Sequence, residues 1–251
     1  MDSQTERLNA IWQRSVEAMK QVVREFRITQ DELHAAGDYF DRLGQSGMCR
    51  SLIDVALAMT SVEATGAADH GTRPNLEGPY HAVHLERPDG RLIADPIPED
   101  MPRLCLSGRV TDALSGRPVA NAALDFWQAD SRGRYDREGN HLRGIVRSDH
   151  AGWYRIETVV PDDYAEHDYD PIGELFRAMG KHNTRAAHIH LKASVDGHDL
   201  LTTQIFMSNS TFLDKDYVEG AVSEDLVTTL VPDGDGGFRA SFDIALAGVP
   251  A

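Results

Sequence analysis

Cysteine is scarce in this sequence, because 251 residues include only Cys49 and Cys105. Neither belongs to a CxxC pair, which excludes a disulfide framework, a zinc ribbon and a dithiol redox motif. Positive charge is also in short supply: 25 basic residues stand against 40 acidic ones, and the net charge is −15. Nucleic acids are bound through basic surfaces that neutralise phosphates, so this balance argues against a nucleic-acid partner.

Long hydrophobic runs are missing as well. The longest uninterrupted apolar stretch is the pentapeptide Val55–Met59, whereas a bilayer span needs roughly 18 or more residues. The first residues contain no apolar block followed by a small-residue cleavage site. We therefore predict no secretory signal, no membrane partner and a cytoplasmic location.

Glycine and proline are sparse in the first 64 residues, and apolar residues recur there at helical spacing. Ile11, Val16, Met19 and Phe26 share one face of a first predicted helix. Thr29–Glu32 has the pattern of a capping box that begins a second helix. A third helix is predicted from about Cys49 to Glu63. The apolar stripes are too large for these short helices to bury alone, which favours a homodimer.

The composition changes after Gly66, where glycine and proline become frequent and apolar residues alternate with polar ones. Alternating stretches begin near Leu104, Leu124 and Tyr154, and a last one is predicted as a single strand from Phe238 to Ile244. Strands without long intervening helices favour an antiparallel β-sandwich over a parallel sheet. We predict a mainly β fold with α-helices, divided into a helical segment over residues 1–75 and a sandwich domain over 76–251.

A histidine pair is the strongest chemical signal. In Arg185–Leu191 a strand would place His188 and His190 on one face and two apolar residues on the other. Neutral imidazole binds zinc, copper, iron and nickel alike, and hydrogen-bonded structural histidines fit the pair equally well. Five other histidines lack a partner at strand spacing and are predicted not to be ligands: His81, His84, His167, His182 and His198.

The histidine pair is accompanied by further stretches of distinctive sequence, namely Leu124–Asp130, Gly133–Asp136, Val160–Tyr164, Arg185–His190 and Leu201–Gln204. Taken together, these stretches resemble the intradiol ring-cleavage dioxygenases. The resemblance covers essentially the whole chain, including the helices, and implies a homodimer with a helical dimerisation segment ahead of its catalytic sandwich.

What the resemblance implies for chemistry is a non-haem Fe(III) bound by Tyr135, Tyr164, His188 and His190. Phenolate is a hard anionic donor suited to ferric iron, and a bound cation lowers the pKa of a coordinating acid. The implied reaction inserts both atoms of O₂ into an aromatic diol to give a ring-opened diacid. By position, Tyr164 would act as the base that leaves the metal.

Two further residues have implied roles in the same reaction. Arg185 would stabilise negative charge on the ring, and Gln204 would orient the substrate or oxygen. Tyr169 lies close enough to Tyr164 in sequence to be a rival ligand, although its spacing to His188 departs from the family pattern.

The nature of the diol is less defined. Gly133–Asp136 and Leu142–Gly144 resemble the hydroxyquinol branch, which yields maleylacetate, more than the catechol branch, which yields cis,cis-muconates. Two stretches, Gly78–His81 and Ala165–Asp168, depart from the family pattern toward polar residues, as a more polar diol would require. Predicted substrate-binding positions are Glu63, Tyr217 and Val218.

Two rival functions remain open at this point. A zinc hydrolase built on His188 and His190 would be colourless and would need a third ligand. A metal-free β-sandwich binding module has no evident use for the helical N-terminus.

Overall fold

The computed structural model describes residues 3–66, 70–93 and 97–250. The chain forms two compact units, one ending at Cys49 and the other beginning at Arg50. The helices are α1 (Ser3–Phe26), α2 (Gln30–Gln45), α3 (Cys49–Thr65) and α4 (Pro171–Ala178). Because α3 starts at the division, it belongs almost wholly to the second unit. The boundary predicted after residue 75, between a dimerisation segment and a catalytic domain, stays a prediction.

The first unit confirms the predicted capping box. The Thr29 hydroxyl accepts a hydrogen bond from the Glu32 amide at 3.3 Å, and the Glu32 carboxylate accepts one from the Thr29 amide at 2.7 Å. The preceding helix, α1, has no buried residue, and the side chains of Trp12 and Met19 are 69% and 68% exposed. An apolar face is therefore left open to solvent along α1.

The second unit is built from strands. They are β1 (Arg103–Asp112), β2 (Ala123–Gln128), β3 (Arg143–Arg147), β4 (Trp153–Val159), β5 (Tyr164–Ala165), β6 (Thr184–Arg185), β7 (His188–Val195), β8 (His198–Met207), β9 (Val227–Thr228), β10 (Val231–Pro232), β11 (Phe238–Ser241) and β12 (Ile244–Leu246), with a short 3₁₀ helix at Glu224–Leu226. Alternating burial along β1 and β4 shows that each presents one face to the core.

These strands form two five-stranded sheets and a small ribbon. In the first sheet β1 is central, flanked by β4 on one side and by β11 and β12 on the other, with β10 outermost. The second sheet has the order β3-β2-β7-β8-β9, and β5 pairs with β6. The sheets face one another, because the rings of Phe126 and Tyr154 stack at 5.7 Å and the Gln128 amide donates to the Val159 carbonyl at 2.9 Å.

The predicted sandwich is therefore present, but not all of its strand pairs are antiparallel as expected. Strand β1 runs parallel to both β11 and β12, and β8 runs parallel to β9. The expected single strand from Phe238 to Ile244 is wrong, because it is broken between β11 and β12. At the break, the Asp243 carboxylate takes the hydrogen bond of the Arg109 amide at 2.8 Å, which interrupts the ladder.

The long-range pairing places several chemically active residues beside one another. Strand β7 lies between β2 and β8, with His190 opposite Trp127 on one side and opposite Gln204 on the other. In the ribbon, Tyr164 is opposite Arg185. Among residues 3–66, 70–93 and 97–250, no helix is long and apolar enough to cross a membrane.

Candidate active site

The two histidines of β7 point to the same side. Ile189 and Leu191 are fully buried on the opposite face, as strand alternation requires. The side chains of His188 and His190 are each 1% exposed, and their Nε2 atoms lie 3.0 Å apart. Two ring nitrogens therefore meet at one point inside the protein.

The protonation of His188 follows from its hydrogen bond. Its Nδ1 lies 2.6 Å from the Ala186 carbonyl oxygen, which can only accept, so Nδ1 carries the proton and Nε2 keeps a lone pair. Burial, reinforced by the nearby charge of Arg185, holds the pKa of His188 well below its usual value. Burial and the neighbouring His188 do the same for the pKa of His190. Both rings are neutral at pH 7, which is the form that binds metals.

Tyr135 reaches the same point from the loop that follows β2. Its hydroxyl oxygen lies 3.1 Å from Nε2 of His190. The loop is held by the carboxylate of Asp136, which accepts hydrogen bonds from the amides of Gly139 at 2.8 Å and His141 at 2.9 Å. Those amide bonds also lower the pKa of Asp136. This turn, a hydrogen bond from Arg143 of β3 to the Asp136 carbonyl and the stacking of the Tyr135 ring on Tyr80 at 4.3 Å together position the phenol.

Tyr164 enters from the ribbon formed by β5 and β6. Its ring lies edge-on to that of Tyr135, with the ring centroids 5.4 Å apart. Gly133 sits directly against it, because a side chain there would place its Cβ 2.7 Å from the Cβ of Tyr164, and the φ of Gly133 is +69°. Burial raises the pKa of both phenols. Tyr169, the alternative ligand considered from the sequence, is 99% exposed and lies outside this buried group.

The turn before β7 is tied to the turn that carries Tyr164. Asp163 accepts hydrogen bonds from the Ala187 amide at 2.8 Å and from the Ser210 hydroxyl at 2.5 Å. On the other side, the Trp127 ring stacks on His190 at 4.8 Å, nearly parallel. These contacts fix the direction in which the phenol and imidazole groups point.

Arg185 lies next to this group and is almost completely buried. Its guanidinium binds the Asp216 carboxylate at 2.9 and 3.1 Å and donates to the Gln204 side-chain oxygen at 2.7 Å. The Gln204 amide in turn donates to the Leu76 carbonyl at 3.0 Å. Burial opposes the charge on Arg185, but Asp216 and the surrounding negative groups raise its pKa overall. Gln204 therefore positions Arg185, and its predicted contact with substrate stays a prediction.

A narrow cleft with a volume of about 20 Å³ lies beside Arg185, and we call it the Arg185 cleft. It is lined by Ser51, Asp54 and Val55 of α3, by Leu76, Gly78 and Pro79, and by Glu166, His167, Arg185, Tyr217 and Val218. The predicted substrate residues Tyr217 and Val218 are both in it.

The third predicted substrate residue, Glu63, does not line this cleft. Its side chain is 55% exposed and pairs with Arg73 at 2.8 Å. The reason is helical geometry: Glu63 is nine residues beyond Asp54, which at 3.6 residues per turn is about two and a half turns, so it faces away.

Sequence reasoning missed Asp216 as the partner of Arg185 and Glu166 as a residue that lines the cleft. A buried arginine needs an anionic partner, but 40 acidic residues offered no means of choosing one. In the sequence, Glu166 appeared only as part of the polar stretch after Tyr164 that differs from the family pattern. In the fold its carboxylate accepts a hydrogen bond from the Tyr217 hydroxyl at 2.5 Å. Burial, together with the Glu166 charge, raises the pKa of Tyr80 to about 12.

A second cluster of potential metal ligands lies beside β2. The ligand atoms of His81, His84 and Asp125 lie within 4.8 Å of one another. Arg143 approaches Nε2 of His84 at 3.3 Å, and a guanidinium can only donate. The proton of His84 is therefore on Nδ1, which faces Asp125, and leaves no lone pair there for a metal. We interpret the cluster as a hydrogen-bonded chain.

The fold and the four converging side chains define a class: a β-sandwich protein with a buried set of two phenols and two imidazoles. The model of the dioxygenase family matches residues 76–248. The 6-chlorohydroxyquinol 1,2-dioxygenase of Cupriavidus pinatubonensis (strain JMP 134 / LMG 1197) is 34% identical, over 98% of this chain and 92% of that protein. The chlorocatechol 1,2-dioxygenase of Pseudomonas sp. (strain P51) is 30% identical, over 91% of this chain and 92% of that protein.

A solved structure supports the same class of protein. The crystal structure of 3-chlorocatechol 1,2-dioxygenase from Rhodococcus opacus 1CP matches with a TM-score of 0.88 at 25% identity, covering 98% of this chain and 100% of that one. The chain belongs to the intradiol ring-cleavage dioxygenase family and is an oxidoreductase, which confirms the resemblance read from the sequence.

Proposed function

We propose that this protein is a non-haem Fe(III)-dependent intradiol dioxygenase that inserts both atoms of O₂ into a catechol-type diol, with hydroxyquinol as the favoured substrate. The observation that carries the proposal is the convergence of four side chains. Nε2 of His190 lies 3.0 Å from Nε2 of His188 and 3.1 Å from the Tyr135 hydroxyl, and the Tyr164 ring lies edge-on to Tyr135 at 5.4 Å. Catechol or a substituted catechol is the alternative substrate.

The four side chains fit ferric iron. Two phenols can become hard anionic donors, and two neutral imidazoles complete a set of mixed oxygen and nitrogen ligands. Tyr135, Tyr164, His188 and His190 would hold the metal, which supplies a Lewis acid that draws electron density from a bound diol. Among the described residues that surround these histidines, the converging groups are phenols and not the carboxylate or third histidine that a zinc hydrolase needs.

The protein's own groups account for proton transfer and charge. Tyr164 would be held by the metal as a phenolate, an oxygen base that can take the proton of a diol hydroxyl. Arg185 lines the adjoining cleft as a permanent cation and can stabilise negative charge that develops on the ring. Asp216 and Gln204 hold its guanidinium in place.

Support for hydroxyquinol comes from the polar side of the Arg185 cleft. Glu166, Tyr217 and Asp54 offer hydrogen-bonding groups to a substituent of the ring. The relative named for 6-chlorohydroxyquinol and the relative named for chlorocatechol are similarly close in sequence. Oxygen uptake with hydroxyquinol, catechol, chlorocatechols and methylcatechols would decide between the substrates.

Colour and elemental analysis test the metal centre. A phenolate bound to Fe(III) absorbs visible light, so we expect a coloured protein with about one iron per chain. Tyr164→Phe should shift or bleach the band and abolish turnover, whereas Tyr169→Phe, altering a 99% exposed residue, should change neither. A colourless zinc protein with full hydrolase activity, or a metal-free protein, would refute the proposal.

We also infer a homodimer. The apolar face of α1, which includes Trp12 and Met19, is exposed in the single chain. Burying such a face between two copies would remove it from water. Light scattering should give twice the chain mass, and Met19→Glu should lower it.

A further inference from the structure

Glu166 is placed by the same ribbon that carries Tyr164. Strand β5 pairs with β6, and beyond it the Glu166 amide still donates to the Asn183 carbonyl at 3.3 Å. Glu166 follows β5 at a bend in the chain, and its side chain lines the Arg185 cleft next to the residues proposed to hold iron.

One phenol occupies only part of this carboxylate. The Tyr217 hydroxyl donates to one of its oxygens at 2.5 Å. An ionised carboxylate has about four lone-pair positions. Unused acceptor positions therefore remain on Glu166, and the hydrogen bond from Tyr217 orients the group.

The charges of the cleft favour a neutral ligand with a hydroxyl donor. Arg185 is already neutralised by Asp216, whose side chain is 3% exposed. The Glu166 carboxylate adds a negative charge that this pair does not balance, whereas Asp54, which lines the same cleft, pairs with Arg50 at 3.6 Å. An anionic substituent would be repelled there, and a chlorine or methyl group would leave the acceptor positions unfilled.

We propose that Glu166 is a specificity-determining residue, which accepts a hydrogen bond from a ring hydroxyl other than the two that bind the metal. It thereby selects trihydroxybenzenes over diols that carry chlorine, an alkyl group or a carboxylate. The inference rests on the proposed function, because it assumes that the diol binds at the site formed by Tyr135, Tyr164, His188 and His190. A site that hydrogen-bonds a hydroxyl discriminates strongly against analogues that lack it, since its own polar group is then left unpaired.

The test compares kcat/KM for hydroxyquinol and 4-chlorocatechol in the iron-loaded protein. Glu166→Leu should lower the ratio of the two values by about tenfold or more, because it removes a charged acceptor. Glu166→Gln, which keeps the shape and one acceptor oxygen, should give a smaller fall in the ratio. Glu99→Leu removes the same charge at an exposed position and should leave the ratio unchanged.

Binding can be measured apart from turnover. Anaerobic titration with hydroxyquinol, followed by the visible band, should show weaker binding in Glu166→Leu than in the wild type. With 3,4-dihydroxybenzoate the same variant should bind more tightly, because the repelling charge is gone. Iron content and the visible band before substrate is added serve as the check that the metal centre is intact.

The outcomes separate this inference from the function on which it rests. A wild-type protein that turns over no diol, or contains no iron, refutes the proposed function. A wild-type enzyme that is active, with a ratio altered less than tenfold in Glu166→Leu, overturns only the role of Glu166. Should Glu166→Leu fail to fold, Glu166→Gln and Tyr217→Phe decide the matter: an unchanged ratio in both would overturn the inference.

Discussion

The ion pair between Arg185 and Asp216 should be essential for stability. The side chains are 2% and 3% exposed, and two contacts of 2.9 and 3.1 Å join them. Asp216 also accepts hydrogen bonds from the amides of Ala186 and Val218, both at 2.8 Å. Replacing Asp216 by alanine would leave a buried guanidinium without its anion and two amides without their acceptor.

The expected cost follows from that burial. Removing one partner of a buried pair costs about 3–5 kcal/mol, because the remaining charge is neither paired nor hydrated. For a chain of this length, each kcal/mol lowers the melting temperature by roughly 2–4 °C. We therefore expect Asp216→Ala to melt roughly 6–20 °C below the wild type.

Urea unfolding of the iron-free proteins measures this cost without a contribution from metal binding. Asp214→Ala, two residues away at an exposed position, is the matched control and should change stability by less than about 0.5 kcal/mol. Combining Asp216→Ala with Arg185→Met should recover part of the lost stability, since no unpaired charge remains. If Asp216→Ala is no more destabilised than Asp214→Ala, the argument that Asp216 neutralises Arg185 is wrong.

Three other predictions concern the site and the first unit. Gly133→Ala should reduce iron content and the visible band, because its Cβ would lie 2.7 Å from the Cβ of Tyr164; an unaffected band would contradict this. Since the pKa values of His188 and His190 are lowered by burial, the iron-free protein should lose stability as the pH falls below about 6.5, by about 2 kcal/mol down to pH 5.5; urea midpoints that do not fall would refute it. Thr29→Ala should cost about 1 kcal/mol through the lost cap, measured by thermal unfolding, whereas an unchanged midpoint would show that the cap is not stabilising.

Local patterns in the sequence were sufficient where structure depends on near neighbours. The cap at Thr29 involves residues three positions apart, and its hydrogen bonds are those expected. The shared face of His188 and His190 follows from strand alternation alone. Both predictions held because they require only a helix start or a strand, whatever the rest of the fold.

Predictions that spanned an irregular backbone were less successful. The alternation from Phe238 to Ile244 indicated one strand, but the side chain of Asp243 replaces a backbone partner of Arg109 and breaks it. Periodicity counts apolar positions and cannot show that a carboxylate will enter the ladder. The parallel pairing of β1 with β11 was hidden for a related reason, since the direction of a partner strand depends on how a distant segment returns.

The amino-acid sequence by itself determined which donor groups were available, namely the tyrosines and histidines whose types and order indicate the family. Only the tertiary structure decided which of them meet: a loop after β2, the ribbon of β5 and β6, and strand β7 bring Tyr135, Tyr164 and the histidines together. It also selected Asp216 from many acids as the partner of Arg185, turned Glu166 into the cleft and directed Glu63 away from it. The physical reason is that such contacts depend on strand register and loop path, which arise from packing over the whole chain and not from neighbouring residues.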